Sequence, residues 1–250
     1  MVHDVATQNL PVTFCIDRGG LVAEDGTTHH GAFDYAYLRH MPNMVVMAPK
    51  DENELQHMLK TCLQYEGPAS VRYPRGVSLG VEMDKSPKPL SIGKGELLRD
   101  GTDVAIVAIG VPVWQAVTAA ERLGQEGIST AVLNARFAKP LDQELIVSVA
   151  KRVRYVVTVE EGCKMGGFGS AVLESLSDAG VTVRTKVLGL PDWYIEQGPQ
   201  DLLRERYGLT AEGIYNSVKE LIGTASASMG REDIYSSTAG HLPHGDEQGS

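Results

Sequence analysis

Short, continuous apolar runs recur along the chain at residues 12–16, 44–47, 70–73, 104–109, 130–133, 155–159 and 181–188. They are rich in β-branched residues and do not alternate with polar ones, the pattern of parallel strands covered on both faces. Between them the apolar period lengthens to that of a helix. In 51–65, Leu55, Met58, Leu59, Cys62 and Leu63 fall at i, i+3, i+4, i+7 and i+8, and Asp51 followed by Glu54 has the form of a capping pair. Residues 112–125 carry Val113, Val117 and Ala120 on one side, and 142–151 follows the stop-start signal Lys139-Pro140-Leu141-Asp142. A helical run is also predicted over 32–40, and 2–9 reads as the end of a helix. Strand and helix alternate almost throughout, so the fold class is α/β.

The alternation lapses over 76–94, a stretch with two prolines, three glycines and little periodicity. This divides the chain into a first unit at 1–77, a linker at 78–94 and a complete-looking second unit at 95–223. Residues 224–250 have few large apolar groups and many Ser, Gly and His, and are expected to be a disordered tail. The first unit holds about three strands, fewer than the 5–6 typical of a sheet. A parallel sheet without its leading strands would expose an apolar edge. A partner polypeptide, or the remainder of a longer protein, is expected to cover it.

With 42% apolar and 22% charged residues, the composition is that of a globular protein. A net charge of −9 argues against a nucleic-acid partner, although a local basic pocket remains compatible with it. No apolar stretch is long enough to span a membrane and no signal pattern opens the chain, which reads as soluble and cytoplasmic. Cys15, Cys62 and Cys163 fit neither a disulfide framework nor a zinc pattern; Cys15 in a strand and Cys62 on a helix face are expected to be buried thiols.

The candidate chemistry lies just beyond two strands. Arg18 follows VTFCID and Arg75 follows SVRYP. If both strands are parallel members of one sheet, both guanidinium groups reach its carboxyl edge, where open α/β sheets bind ligands. Guanidinium forks there suit phosphate or carboxylate. The intervening loop, RGGLVAEDGTTHHGAF, adds Asp25 and His29, a carboxylate that can accept hydroxyl hydrogen bonds and an imidazole that titrates near neutrality. The alternatives are a polar surface loop with an Asp-Gly turn, and a strand-end arginine in a surface ion pair. Adjacent His29 and His30 do not form a metal pair, and no metal site is expected. The glycines of GCKMGGFG, 162–169, read as a tight turn for helix–sheet packing. Glu160 and Glu161 are expected in capping or interface contacts, Arg136 in a structural one, and Trp193 and Tyr194 as aromatic anchors at a domain or subunit contact.

The runs IDRGGLVAEDGTTHHGAFDYAYLRHMPNMVVMAPKDENEL, GPASVRYPRG, NARFAKPLD, VTVEEG, GGFGS and GLPDWYIEQG together resemble the 1-deoxy-D-xylulose-5-phosphate synthase family over nearly all of 2–223. The resemblance is to its C-terminal portion: a truncated transketolase-like pyrimidine-binding domain followed by a transketolase-type C-terminal α/β domain. It implies thiamine diphosphate and Mg2+ in the complete enzyme, and condensation of pyruvate with D-glyceraldehyde 3-phosphate to 1-deoxy-D-xylulose 5-phosphate and CO2. It further implies a homodimer, Arg18 and Arg75 as holders of the acceptor phosphate and donor-derived carboxylate, and Asp25 and His29 as groups at the substrate hydroxyls that assist proton transfer. The family's G-D-G cofactor motif does not occur, and the glutamate that activates the cofactor's aminopyrimidine would precede residue 1. Most cofactor ligands are therefore expected from a missing N-terminal portion or partner chain, and this polypeptide alone is expected to be inactive. Gly19 stands where the family more often has alanine, a change expected to loosen the loop. A 2-oxo-acid dehydrogenase β subunit shares the architecture but is disfavoured by Asp25-Gly26-x-x-His29 and Tyr73-Pro74-Arg75-Gly76. A non-catalytic truncated module that dimerises with or regulates the full enzyme is the remaining alternative.

Overall fold

A computed structural model describes residues 1–236, in which the apolar runs form two sheets. In the first, β1 (Thr13–Ile16), β2 (Val45–Met47) and β3 (Ala69–Arg72) are parallel in the order β1-β3-β2, connected through α1 (Asp34–Arg39) and α2 (Glu52–Gln64). The predicted helix end at 2–9 is a π-helical turn, Val2–Ala6. Asp51 caps α2 by accepting the Glu54 N–H at 2.8 Å. The Glu54 carboxylate reaches back one residue further than in a capping box, to the N–H of Lys50.

The second sheet contains β4 (Glu96–Arg99), β5 (Val104–Ala108), β6 (Thr130–Asn134), β8 (Tyr155–Cys163) and β9 (Arg184–Leu190), in the order β4-β6-β5-β8-β9. Its strands β5 and β6 are buried at every position, as their unbroken apolar sequences require. Around it lie α3 (Pro112–Gln125), α4 (Gln143–Ala150), α5 (Phe168–Asp178), α6 (Gln200–Arg206) and α7 (Ala211–Ser236). Helix α3 opens on Pro112, whose missing N–H costs nothing in a first turn. Helix α7 runs through Thr224 to Ser236, so the expected disordered tail is helical in its first part; the rest of that expectation lies outside the described residues.

Two strands are not predicted by the apolar runs, and both are antiparallel. β4 pairs with β6 at the edge of the second sheet, and β7 (Phe137–Lys139) pairs with β2 in the first. The second unit thus contributes a strand to the first unit's sheet. Burial also crosses the division: Tyr35, Leu38 and Val46 share one cluster with Val107, Leu133 and Val156. The two units form one packed body. The connecting stretch is irregular but held along α2, where the N–H groups of Gly80 and Val81 donate to the Glu52 carboxylate at 2.5 and 2.9 Å, and that of Lys88 donates to His57 Nδ1 at 2.9 Å.

Strand β1 is an edge strand, which corrects the expectation for Cys15: its thiol position is exposed, whereas Cys62 on α2 is buried. Burial raises the Cys62 thiol to about 12.

A buried ionic cluster locks β7's approach. Glu54, 2% exposed, accepts from Arg136 Nε at 2.7 Å, from Asn134 Nδ2 at 2.8 Å and from Lys50 Nζ at 3.1 Å. Glu96 bridges Lys50 and Arg136 from the other side, and Arg136 has a left-handed φ of 58°. Arg136 is structural, as expected. Removing one member of such a cluster leaves charges buried without a partner, at about 3–5 kcal/mol. Glu54→Ala is therefore expected to lower unfolding stability by about that amount, read from the urea midpoint, with Glu54→Gln intermediate.

Candidate functional site

β1 and β3 are parallel with Ile16 opposite Arg72. Arg18 and Arg75 accordingly leave the sheet at the same edge. Arg18 turns the chain there, with a left-handed φ of 57°. The loop that follows is closed at its neck by Gly20 and Gly31, which exchange N–H···O bonds of 2.9 and 2.8 Å. Glycine is required at the neck: a Cβ on Gly31 would lie 2.4 Å from the Arg18 carbonyl oxygen.

The loop's apolar residue, Leu21, is fully buried in the second unit's core beside Leu190, Ile195 and Leu203. Its polar groups are bound as firmly. The Val22 N–H donates to His30 Nδ1 at 3.1 Å, so the ring is protonated on Nε2, which donates to the Glu196 carbonyl at 3.2 Å. Burial lowers the His30 pKa, against the charges of Glu161 and Asp25. Gln200 donates to the carbonyls of Leu21 at 2.5 Å and Arg75 at 3.2 Å, tying the loop to the segment that carries the second arginine. The segment 195–200 of the second unit is therefore a brace for a loop of the first.

Asp25 ends a 3₁₀ turn, Ala23–Asp25, before Gly26 at φ 73°. Its Oδ2 accepts from Arg75 Nη1 at 2.5 Å and lies 3.6 Å from Arg18 Nε. Partial burial pushes its carboxyl up, but the hydrogen bond and charge of Arg75, then those of Arg18, outweigh this and hold it below the usual carboxylate range. The structure thus brings Arg18, Arg75 and Asp25 together. His29 lies on the same loop but is exposed, with its Nδ1 3.0 Å from Thr28 Oγ1. Of the two adjacent histidines, His30 faces inward and His29 is free to meet a ligand.

Arg72 went unrecognised in the sequence because it ends an apolar strand. It is 5% exposed; its Nε donates to Asp34 Oδ2 at 3.0 Å, and its Nη2 donates to the carbonyls of Gly31 at 2.6 Å and Glu161 at 2.7 Å. The guanidinium also sits 4.2 Å above the Tyr35 ring. A Cβ on Gly19 would come within 2.6 Å of Arg72 Cγ. Gly19 gives room to this side chain. A charge at the end of a buried strand, with Asp34 in the following helix, was the available signal.

Glu161 and Glu160, near the end of β8, take up backbone N–H groups of the loop and of α5. Glu161 accepts from the Leu21 N–H at 2.8 Å and Arg204 Nε at 2.9 Å. Glu160 takes the N–H groups of Phe168 and Gly169, at 2.8 and 2.7 Å. The glycine-rich turn before α5 is thus satisfied by an internal carboxylate, in keeping with its reading as a packing turn. Trp193 and Tyr194 are exposed, and Tyr194 meets Phe33 edge-on with centroids 6.2 Å apart. Among the described residues, no helix is long and apolar enough to cross a membrane. Nor, among them, do three or more His, Cys, Asp or Glu stand where they could together hold a metal ion.

Two parallel-sheet units joined in this way, with charged groups at a shared carboxyl edge, define a transketolase-type architecture. Residues 1–78 match the transketolase pyrimidine binding domain and residues 93–214 the transketolase C-terminal domain. A solved chain of a split gene transketolase, in the form of an inactive beta4 tetramer, superposes with a TM-score of 0.79 at 33% identity, covering 89% of this chain and 70% of that one. The chain belongs to the transketolase family. It is 57% identical over 222 residues to the 1-deoxy-D-xylulose-5-phosphate synthase of Syntrophotalea carbinolica, covering 89% of this chain and 35% of that protein. It is 55% identical over 232 residues to that of Heliobacterium modesticaldum, covering 93% of this chain and 35% of that protein. The chain spans about a third of the length of these curated relatives.

Burial raises the Glu160 carboxyl to about 7 from its usual 4.5, against the two N–H donors and the charges of Arg72 and Arg39. A folded-state value above the unfolded one gives stability that is full below pH 4.5 and lost as pH rises through 7. His30 acts in the opposite sense: its lowered value gives stability present above 6.5 and lost as pH falls. Between about pH 6.5 and 8 the Glu160 effect stands alone. The urea midpoint is expected to fall across that window in the wild type and to stay level in Glu160→Gln; parallel curves would exclude the assignment.

Proposed function

We propose that this chain carries the substrate-anion site of a thiamine-diphosphate-dependent transferase that condenses pyruvate with D-glyceraldehyde 3-phosphate, giving 1-deoxy-D-xylulose 5-phosphate and CO2. The observation that carries the reading is the convergence of Arg18, Arg75 and Asp25 at one strand edge, with His29 on the same loop. Two guanidinium groups suit a phosphate and a carboxylate, since each fork offers an anion two parallel charge-assisted hydrogen bonds. The named relatives supply the reaction.

In this reading Arg75 and Arg18 hold the acceptor's phosphate and the donor-derived carboxylate. Asp25 accepts a hydrogen bond from a substrate hydroxyl, and His29 moves a proton at the hydroxyl or carbonyl oxygen. Arg72, His30 and Gln200 touch no substrate and fix the loop that does. Thiamine diphosphate, when bound, supplies the electron sink for decarboxylation and carbon–carbon bond formation. Its Mg2+ and diphosphate ligands come from polypeptide other than the described residues, either in the same longer protein or in a partner chain. The enzyme works in the cytoplasm as a homodimer of such assemblies. A second reading is favoured by the split transketolase, whose solved form is named inactive: the chain alone assembles without catalysing.

Purified chain, given both substrates, the cofactor and Mg2+, is expected to form no 1-deoxy-D-xylulose 5-phosphate. Adding the N-terminal segment of the Syntrophotalea carbinolica synthase is expected to produce activity, and Arg75→Met in that mixture to lower kcat/KM for the aldehyde roughly 10–100-fold, the worth of a charge-assisted hydrogen bond. Turnover by the chain alone would overturn the division of ligands. A complemented mixture that stays inactive leaves the assembly-only reading in possession.

A further inference from the structure

We propose that His30 is a positioning residue: through the backbone of Val22 it sets the guanidinium of Arg75, and only its neutral ring can do so; this rests on the reading of Arg18 and Arg75 as the substrate-anion site. Val22 is held on both sides. Its N–H donates to His30 Nδ1 at 3.1 Å, and its carbonyl accepts from Arg75 Nη1 at 3.4 Å. One imidazole is thus two hydrogen bonds away from a guanidinium it does not touch.

The next residue makes this hold necessary. Ala23 has a left-handed φ of 63°, which a residue with a side chain keeps only where its surroundings enforce it. The bonds around it are few. The Gly26 and Gly198 N–H groups donate to the Ala23 carbonyl at 3.3 and 3.4 Å, both longer than the histidine bond on Val22. Without that bond Ala23 is free to relax, and a change in its φ swings the Val22 carbonyl away from Arg75.

His30 is itself fixed from the second unit. Its Nε2 donates to the Glu196 carbonyl at 3.2 Å, which leaves Nδ1 as the acceptor. A proton added at Nδ1 would face the Val22 N–H, donor against donor, and the bond would be lost. The charged groups around the ring are Glu161 on β8, Asp25 and Arg75 beside the loop, and the Glu196 side chain, which is engaged by Arg206 and Tyr207; exposed His29 is its neighbour in sequence. Burial outweighs Glu161 and Asp25 and holds the ring's titration below the ordinary 6.5. Acid therefore has two opposed effects. Protonating histidines beside two guanidinium groups adds positive charge, which alone tightens anion binding. Releasing Val22 loosens it.

Calorimetry of sulfate binding to the full chain separates the two, because sulfate stays a dianion over the range of about pH 5 to 8 in which histidine changes charge. Wild-type binding is expected to weaken about 3–10-fold from the top of that range to the bottom, the worth of one hydrogen bond. His30→Gln, whose amide can accept from Val22 and donate to Glu196, is expected to match the wild type at the top and to stay level or tighten at the bottom. His30→Ala is expected to bind weakly throughout. In the wild type the Val22 amide resonance is expected to titrate with the His30 ring. A His30→Gln profile that falls like the wild type's, full binding by His30→Ala, or a Val22 amide indifferent to pH would overturn the positioning role and leave the anion site standing. Sulfate binding that is absent, or unchanged in Arg75→Met, would overturn the anion site and with it the role of His30 in binding.

Discussion

The guanidinium of Arg72 is the constraint on which the arrangement rests. A buried arginine demands partners for its N–H groups, because an unpaired charge in a dry interior costs several kcal/mol. Here those partners come from three places in the chain: the carboxylate of Asp34 and the ring of Tyr35 on α1, the carbonyl of Gly31 at the loop neck, and the carbonyl of Glu161 on β8. Satisfying one side chain therefore positions the loop, the first helix and the second sheet relative to β3. Arg75, three residues further on, inherits that position. A Cβ on Gly19 would press on this side chain, and one on Gly31 would meet the Arg18 carbonyl oxygen and the Asp34 carboxylate.

The second unit does more than extend the fold. In a doubly wound sheet the crevice between β5 and β8 is where chain direction reverses, the usual ligand site. That crevice is filled here by the first unit. A Cβ on Gly110, at the end of β5, would lie 3.3 Å from the Tyr35 hydroxyl, and one on Gly162 would lie 2.8 Å from the Tyr35 ring. The α5 N-terminus, a natural anion seat, is taken by Glu160. The first of these places docks the first unit and the second is closed by the second unit's own Glu160, which leaves the edge of β1 and β3 for the proposed anion site.

The α/β class, the helix at Pro112–Gln125 and most strands were legible because buried parallel strands and amphipathic helices leave unambiguous periods. The antiparallel strands β4 and β7 were not. β7 is three residues long and lies against a strand far away in sequence, so no local period records it. Cys15 misled for a related reason: an apolar strand reads as buried, and only the strand order shows that β1 is at an edge. Arg18, Arg75 and Asp25 could be singled out because charge just beyond a strand end is conspicuous. Arg72 and His30 could not, since their work is done through contacts with Glu161 and Glu196, 89 residues from Arg72 and 166 from His30 respectively.

Those distant contacts also bear on how an acidic chain would present the proposed anion site. A net charge of −9 sets the field at long range, and salt screens it within about 10 Å. At the strand edge what matters is which carboxylates are already engaged. Glu161 is committed to Arg204 and the Leu21 N–H, Asp34 to Arg72, and Glu160 to the helix end. Only Asp17 and Asp25 remain on the Arg18–Arg75 pair. Glu161, Asp34 and Glu160 are bound into the scaffold and do not compete for the two guanidinium groups. The site's affinity for an anion is therefore governed by the allocation of a few hydrogen bonds, and the sign of the whole molecule has little say in it.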